Sequence, residues 1–284
     1  MIYLNGEYMP LAEARIPVLD RGFIFGDGVY EVIPVYSRRA FRLDEHLQRL
    51  QHSLDSIRLP NPYTPAQWQT IIEHVIMLNP WEDQSVYLQV TRGVAPRDHA
   101  FPKDTPQTVF VMSNPLTTPP ARQRETGVSA VTALDNRWLR CDIKSTALLA
   151  NVLLRQLAVD AGASETLLLR EGYLTEGAAS NIFVVRDGVL LAPPKDHRVL
   201  PGITYDVVLE LAQQHAIRHE VREISEEEVR SADELWLTSS TKEVLPITRL
   251  DGQPVANGKP GPIYEVMYGY YQDFKRTVMR GKNT

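Results

Sequence analysis

The chain has 284 residues, 43% apolar and 23% charged, which is enough for one large or two ordinary domains with a sizeable core. Its formal net charge of -5, with no Lys/Arg run larger than Arg38-Arg39, excludes the basic stripe that a nucleic-acid partner needs. The single cysteine, Cys141, excludes an internal disulfide and a cysteine-built zinc site and reads as a buried structural thiol; no metal is expected.

Residues 1–7 lack the basic head and continuous apolar stretch of a signal peptide, and no membrane segment follows, so the cytoplasm is the expected location. Strands are predicted over residues 2–4 and at Tyr8, on either side of an Asn5-Gly6 turn, and over 29–36 and 40–43, joined by Ser37-Arg38-Arg39. A helix capped by Asp44 follows, because Leu47, Leu50, Leu54 and Ile57 recur at helical spacing until Pro60 stops it. A second helix over residues 65–78 carries Trp68, Ile71, Ile72 and Val75 on one face, and strands over 86–91 and 108–112 close this half.

Residues 113–120 are turn-rich, Pro-dense and uncharged, the composition of an interdomain connection, which divides the chain into domains over 1–114 and 122–284 with a linker over 115–121. Beyond it the pattern predicts a strand over 128–134, a helical stretch over 146–161, a strand over 166–169, and a meander through Tyr173, 182–185 and 189–191 with turns at Glu171-Gly172 and Asp187-Gly188. Helices over 204–215 and 225–231 bracket a strand over 234–238. So many strands and such tight turns make each half α/β with antiparallel or mixed sheet, and a ligand site between the halves is the default expectation.

Five segments carry candidate chemistry. Lys144 stands where a strand segment meets an apolar helix, and an amine walled by Leu, Ile and Ala loses hydration, which lowers its pKa and frees its lone pair to attack a carbonyl. The plain alternative is a solvated lysine in a first helical turn. Glu176 lies beside the small residues Gly177-Ala178-Ala179-Ser180, where the backbone can approach a flat ligand and a carboxylate can favour a protonated ring nitrogen; alone, it reads equally as an exposed turn acid. Gly202-Ile203-Thr204 opens a helix whose amides can seat a phosphate, with Thr204 doubling as the cap, and capping by itself explains the motif. Thr238-Ser239-Ser240-Thr241 offers four hydroxyls directly after a strand, enough to hold the same phosphate or to be a polar loop. Arg97 and His99, two apart in an irregular segment, can point to one side as a carboxylate clamp, or Arg97 can pair with Asp98 on the surface.

Taken together, residues 21–31 (RGFIFGDGVYE), Arg97-Asp98-His99, residues 138–145 and 175–181, Gly202-Ile203-Thr204 and residues 238–241 resemble the fold-type IV pyridoxal-phosphate proteins in their D-amino-acid aminotransferase branch, over nearly the whole chain and in order. The resemblance implies a two-domain enzyme with pyridoxal 5'-phosphate at the domain interface, the second domain being the cofactor-binding one. It implies Lys144 as the Schiff-base lysine and acid–base group, and Glu176 at the pyridine nitrogen. Arg49, Ile203, Thr204, Ser239 and Ser240 would hold the phosphate, with Leu200 against the ring and Ser180 at its edge. Tyr30, Arg97 and His99 would hold the substrate carboxylate, the last two reaching in from the partner of a homodimer. The implied reaction is ping-pong transamination between a D-amino acid such as D-alanine and a 2-oxo acid such as 2-oxoglutarate. Branched-chain L-aminotransferase and aminodeoxychorismate lyase share the fold and remain alternatives; so does a non-catalytic pyridoxal-phosphate carrier, which needs no clamp. The chain departs from the family pattern at Leu191-Ala192-Pro193-Pro194, where a Thr is common, at Tyr205, where a basic residue is common, and in the plain Ala178-Ala179 turn.

Overall fold

The computed structural model describes residues 1–281. They form two compact units, the first comprising Met1–Leu116 with Ile143–Leu148 and the second Thr117–Asp142 with the rest of the chain from Leu149. Chain order alone places the boundary at the Pro-rich linker and leaves Lys144 on the second side. The return of residues 143–148 to the first unit rests on backbone hydrogen bonds that no sequence period announces.

In the first unit the order is β1 (Ile2–Leu4), β2 (Glu7–Met9), α1 (Arg21–Phe25), β3 (Gly28–Tyr36), β4 (Arg39–Ala40), α2 (Leu43–Ser56), α3 (Pro65–Met77), β5 (Gln84–Thr91) and β6 (Thr108–Pro115). The strands make one six-stranded sheet, ordered β2-β1-β6-β5-β3-β4, and every pair in it is antiparallel. Successive strand side chains point to opposite faces, so Val29, Ile33 and Val35 of β3 and Val86, Leu88 and Val90 of β5 turn one way into the core. There they meet Leu47, Leu50 and Leu54 of α2 and Trp68, Ile72 and Val75 of α3. Tyr30, Val32, Tyr87 and Gln89 take the other face and are only half buried.

The helix caps differ in kind. Thr64 and Gln67 close a capping box on α3, with Pro65 inside its first turn. Helix α2 begins one residue before Asp44, and its N-cap is Arg42 in a left-handed conformation without a side-chain cap. Asp44 is therefore not the predicted cap; with Glu45 it lies in the first turn, where a carboxylate still complements the helix dipole. Starting the helix at Leu43 also shortens the strand predicted over 40–43 to β4.

The second unit runs α4 (Ala121–Thr126), β7 (Val128–Leu134), α5 (Leu149–Asp160), β8 (Glu165–Arg170), β9 (Tyr173–Gly177), β10 (Asn181–Arg186), β11 (Val189–Ala192), α6 (Ile203–Gln214), β12 (His219–Val221), α7 (Glu226–Arg230), β13 (Glu234–Ser239), β14 (Glu243–Leu250), β15 (Gln253–Pro254) and α8 (Pro262–Phe274). Its nine-stranded sheet follows β12-β11-β10-β13-β14-β7-β8-β9, with β15 on β14. The β11–β12, β14–β7 and β7–β8 pairs are parallel and the others antiparallel, so this is the mixed sheet of an α/β unit. Strand β8 is buried along its whole length, with α5 packed on it, which is why its sequence shows no alternation.

Several elements escape the sequence pattern, β14 and α8 among them. Strand β14 carries Pro246 and shows no period-two burial, and α8 follows the Gly/Pro-rich stretch 257–262 and is interrupted by Gly269, so its buried stripe of Tyr264, Met267 and Tyr271 reads as loop. The core of the first unit offers the direct test. Leu88 is fully buried, so Leu88→Ala will lower the unfolding free energy by about 2–5 kcal/mol in urea titrations. Leu88→Met, which conserves volume, will cost less than about 1.5 kcal/mol.

Candidate active site

Lys144 has no helix around it, because α5 starts only at Leu149. It sits in an extended stretch laid against the start of β3. There the Tyr30 amide donates to the Lys144 carbonyl (3.0 Å), the Thr146 amide to the Gly28 carbonyl (2.9 Å), and Ser145 bridges to Val29. On the other side the Lys144 amide donates to Ser53 Oγ of α2 at 3.2 Å. The side chain is half buried, and its Nζ lies 4.3 Å from the centre of the Tyr30 ring. That ring stacks on Tyr87 at 5.6 Å. Lys144 and Tyr30 are thus brought together.

Beneath β3 lies a charged cluster that the sequence reading singled out only in part. Glu31 is one residue out of phase with Tyr30, so it points into the core face and is fully buried. Arg49 of α2 holds it with two parallel bonds, Nε and one terminal nitrogen each 2.8 Å from a carboxylate oxygen. His46, one turn earlier on α2, contacts the same carboxylate through Nδ1 at 2.8 Å. A carboxylate only accepts, so Nδ1 carries the proton, while the buried Nε2 has no hydrogen-bond partner among the described residues. Burial holds the imidazole below its ordinary value, since charging it would create a second buried donor with nothing to receive it. Burial alone would raise Glu31, but the Arg49 guanidinium and His46 outweigh it and hold the carboxyl well below the usual range.

Arg97 and His99 are exposed, and both rest on Phe25 at the end of α1. The Arg97 guanidinium carbon is 5.4 Å from the ring centre, and the His99 ring centre is also 5.4 Å away at an interplanar angle of 38°. Among the described residues Arg97 has no carboxylate partner; Asp98 turns back to accept the Ala100 amide instead.

In the second unit Glu176 is the penultimate residue of β9 rather than part of a turn, and it is buried. Its Oε1 is 2.5 Å from an Arg137 nitrogen, and its Oε2 accepts from the Leu200 amide (3.1 Å) and from Asn181 (3.4 Å). Burial pushes its carboxyl up to about 7, against the pull of Arg137 and of the Leu200 amide. Arg137 is itself clasped by Asp135 through two bonds of 2.8 Å, and Asp135 also takes Arg170 and the Thr175 hydroxyl. Sequence reasoning missed Arg137. The signal was Asp135-Asn136-Arg137 directly after a strand, which reads just as well as a surface pair.

Asn181 ties this carboxylate to the segment before α6. Its Nδ2 donates to the Leu200 carbonyl at 2.9 Å, and a Cβ on Gly202 would stand only 2.0 Å from its Oδ1, so only glycine fits there. Helix α6 begins at Ile203 with Gly202 as its N-cap and no side-chain cap. Thr204 is therefore inside the first turn and is not the predicted cap, which leaves the leading amides open to an acceptor from outside the helix. Across the β10–β13 pair Asn181 faces Thr238, whose buried Oγ1 has no hydrogen-bond partner among the described residues, and Ser239 and Ser240 follow it. Ser180 is less free, because its hydroxyl donates to buried Glu165, which also pairs with Lys242. The two departures near α6 meet each other: Tyr205 is buried and donates its hydroxyl to the Pro193 carbonyl at 2.8 Å. Cys141 is buried, which raises its thiol to about 11, as befits a structural residue.

A two-unit α/β protein with a lysine pinned to a strand edge and an uncapped helix start beside a buried carboxylate has known relatives. The model of the family described as amino-transferase class IV matches residues 28–250, and the chain belongs to that family. A D-alanine aminotransferase of Bacillus licheniformis is 40% identical over 262 residues, 92% of each chain, and one of Staphylococcus aureus (strain MW2) is 38% identical over 92% of this chain and 93% of its own. Among solved structures, the branched-chain amino acid aminotransferase of Escherichia coli superposes with a TM-score of 0.90 at 26% identity, covering 100% of this chain and 96% of that one. A branched-chain amino acid aminotransferase of T.th. solved with pyridoxamine 5'-phosphate gives 0.90 at 27%, covering 98% and 94%.

The Glu31 cluster makes a pH test. His46 has a depressed pKa, so its contribution to stability is complete above the ordinary value of 6.5 and drains away as pH falls below it; that of Glu31 starts to drain only below 4.5. Between pH 6.5 and 5 the parent's urea midpoint will therefore fall relative to that of His46→Gln, while Glu176, raised to about 7, acts in the opposite direction in both proteins. An unchanged slope in the variant would show that His46 is not held neutral.

Proposed function

We propose that this class IV aminotransferase moves amino groups between D-amino acids, D-alanine among them, and 2-oxo acids such as 2-oxoglutarate, with pyridoxal 5'-phosphate as cofactor. The observation that carries the reading is the pair Arg97 and His99, a guanidinium with no carboxylate partner among the described residues and an imidazole, both standing on one aromatic ring. A guanidinium fork and a ring nitrogen are suited to two or three hydrogen bonds on a substrate carboxylate. The likeness to proteins named D-alanine aminotransferase, at 36–40% identity, supports the same substrate class. Likeness in fold to branched-chain enzymes supports the alternative L-specific reading, but at 26–28% identity.

The residues of each unit suit the cofactor. The uncapped start of α6, the buried Thr238 hydroxyl, which has no partner among the described residues, and the hydroxyls of Ser239 and Ser240 are what a phosphate dianion needs. The buried Glu176 carboxyl suits a ring nitrogen: a neighbouring cation favours its ionised form, and the carboxylate in turn keeps that nitrogen protonated. Bound pyridoxal phosphate supplies an aldehyde for the amine and a cationic ring that accepts the electron pair left at the substrate α-carbon.

The protein does the rest. Lys144 Nζ would be the attachment point for the cofactor and the acid–base group that takes the α-proton and delivers it to C4′ of the cofactor. Arg49, the Ile203 and Thr204 amides, Ser239 and Ser240 would hold the phosphate, and Glu31 fixes the Arg49 fork. Leu200 would back the ring, and the Ser180 turn would wall its edge. Tyr30 completes the carboxylate clamp with Arg97 and His99, which a homodimer lends from the partner subunit. An exposed apolar stripe on α5, formed by Leu149, Val152, Leu153 and Leu157, supports such a dimer. The acidic composition supports a cytoplasmic enzyme, and no helix among the described residues is long and apolar enough to cross a membrane.

Purified protein supplied with pyridoxal phosphate will absorb near the visible edge and convert D-alanine with 2-oxoglutarate but not L-alanine. Lys144→Ala will lose the band and at least about 10²-fold in kcat. Failure with every D-amino acid would refute the assignment, and a preference for L-leucine over D-leucine would favour the branched-chain reading.

A further inference from the structure

Arg97 and His99 sit on an exposed loop, and an exposed loop is a poor place to fix two side chains to within the tolerance a carboxylate demands. The surroundings of that loop answer the difficulty. The Arg21 guanidinium donates to the Asp98 carbonyl at 2.5 Å and the Ala100 carbonyl at 3.4 Å, so the backbone is held between and just beyond the two clamp residues. Phe101, next along, lies against two guanidinium groups, with Arg92 at 3.8 Å and Arg58 at 4.8 Å from its ring centre. Asp27 joins the two anchors by accepting from both Arg21 and Arg92 at 2.8 Å. The backbone of the loop is therefore fixed, but its side chains still need a surface.

Phe25 provides it. Helix α1 is capped at its start by the Asp20 carboxylate, which is fully buried and also takes the Thr91 and Thr108 hydroxyls, and is closed at its end by Gly26 in a left-handed turn. This short, doubly terminated helix presents the half-buried Phe25 ring to Arg21 at 4.8 Å, to Arg97 at 5.4 Å and to His99 at 5.4 Å. A guanidinium within about 6 Å of an aromatic face is attracted by its quadrupole, and two rings between about 4.5 and 7 Å apart gain from a tilted contact. One ring thus sets where two otherwise free side chains stand relative to each other.

We propose that Phe25 is a positioning residue for substrate recognition: it fixes the separation of Arg97 and His99, so that the pair meets a carboxylate already arranged. This rests on the reading of Arg97 and His99 as the carboxylate clamp. A clamp holds the carboxylate equally in the bound substrate and during reaction, so loosening it raises KM and leaves kcat almost unchanged. Stability alone cannot produce that split.

The test uses the holoenzyme with D-alanine as varied substrate at saturating 2-oxoglutarate. Phe25→Leu keeps the bulk and removes the aromatic face; it will raise KM at least fivefold with kcat within twofold of the parent. Phe25→Tyr keeps the face and will stay within twofold on both. Phe25→Met serves if the Leu variant fails to fold, as judged by thermal unfolding. Arg97→Ala will raise KM further, and adding Phe25→Leu to it will raise KM by a smaller factor than Phe25→Leu does alone, because one of the two groups being positioned is gone. If Phe25→Leu leaves KM unchanged while Arg97→Ala raises it, or if the two effects multiply, or if Phe25→Tyr is as impaired as Phe25→Leu, the positioning role is wrong and the clamp stands. If Arg97→Ala itself leaves KM unchanged, the clamp reading falls, and the role of Phe25 falls with it.

Discussion

The first unit depends on how a stretch of six residues, Ile143–Leu148, is bound to the open edge of β3. Strand β3 pairs with β5 from Gly28 to Val35, but β4 covers its other side only at Val35 and Tyr36. The amide and carbonyl groups at the start of β3 would otherwise stand unpaired, a liability for any edge strand. The Lys144 segment satisfies them through Gly28 and Tyr30, and Ser53 receives its remaining amide. Fixing the backbone on both sides of Lys144 leaves only its side chain free to move, which suits the attachment role proposed for it.

Buried charge follows one rule in both units. Glu31 with Arg49 and His46, and Asp135 with Arg137, Arg170 and Glu176, are clusters in which each carboxylate is held by charged or polar donors. Such clusters stabilise little compared with well-packed apolar residues, and losing one partner costs about 3–5 kcal/mol. They do fix geometry. Glu31 orients a guanidinium that would otherwise swing on a long flexible stem, and Arg137 leaves one oxygen of Glu176 to the Leu200 amide and Asn181.

Much of the fold is legible in the sequence because its signals are local. Leu47, Leu50 and Leu54 give α2, Trp68, Ile72 and Val75 give α3, and the alternation at 86–91 gives most of β5. What is not legible depends on contacts distant in sequence. Nothing near Lys144 tells that it returns to β3; Pro246 hides β14; and the aromatic face of α8 resembles loop until its packing is seen. The same division holds among the candidate site residues. Glu176 and Gly202 stand out by residue type and neighbours, whereas Arg137, Asn181 and Phe25 acquire meaning only from what they touch. Each is an ordinary residue at an ordinary spacing.

The central claim is that Lys144 is where the cofactor becomes attached. Borohydride reduction of the protein loaded with pyridoxal phosphate, followed by proteolysis and mass spectrometry, tests it most directly. The account predicts a single phosphopyridoxyl adduct on the peptide that contains Lys144. An adduct confined to another lysine, or none in protein that shows the visible-edge band, would contradict it.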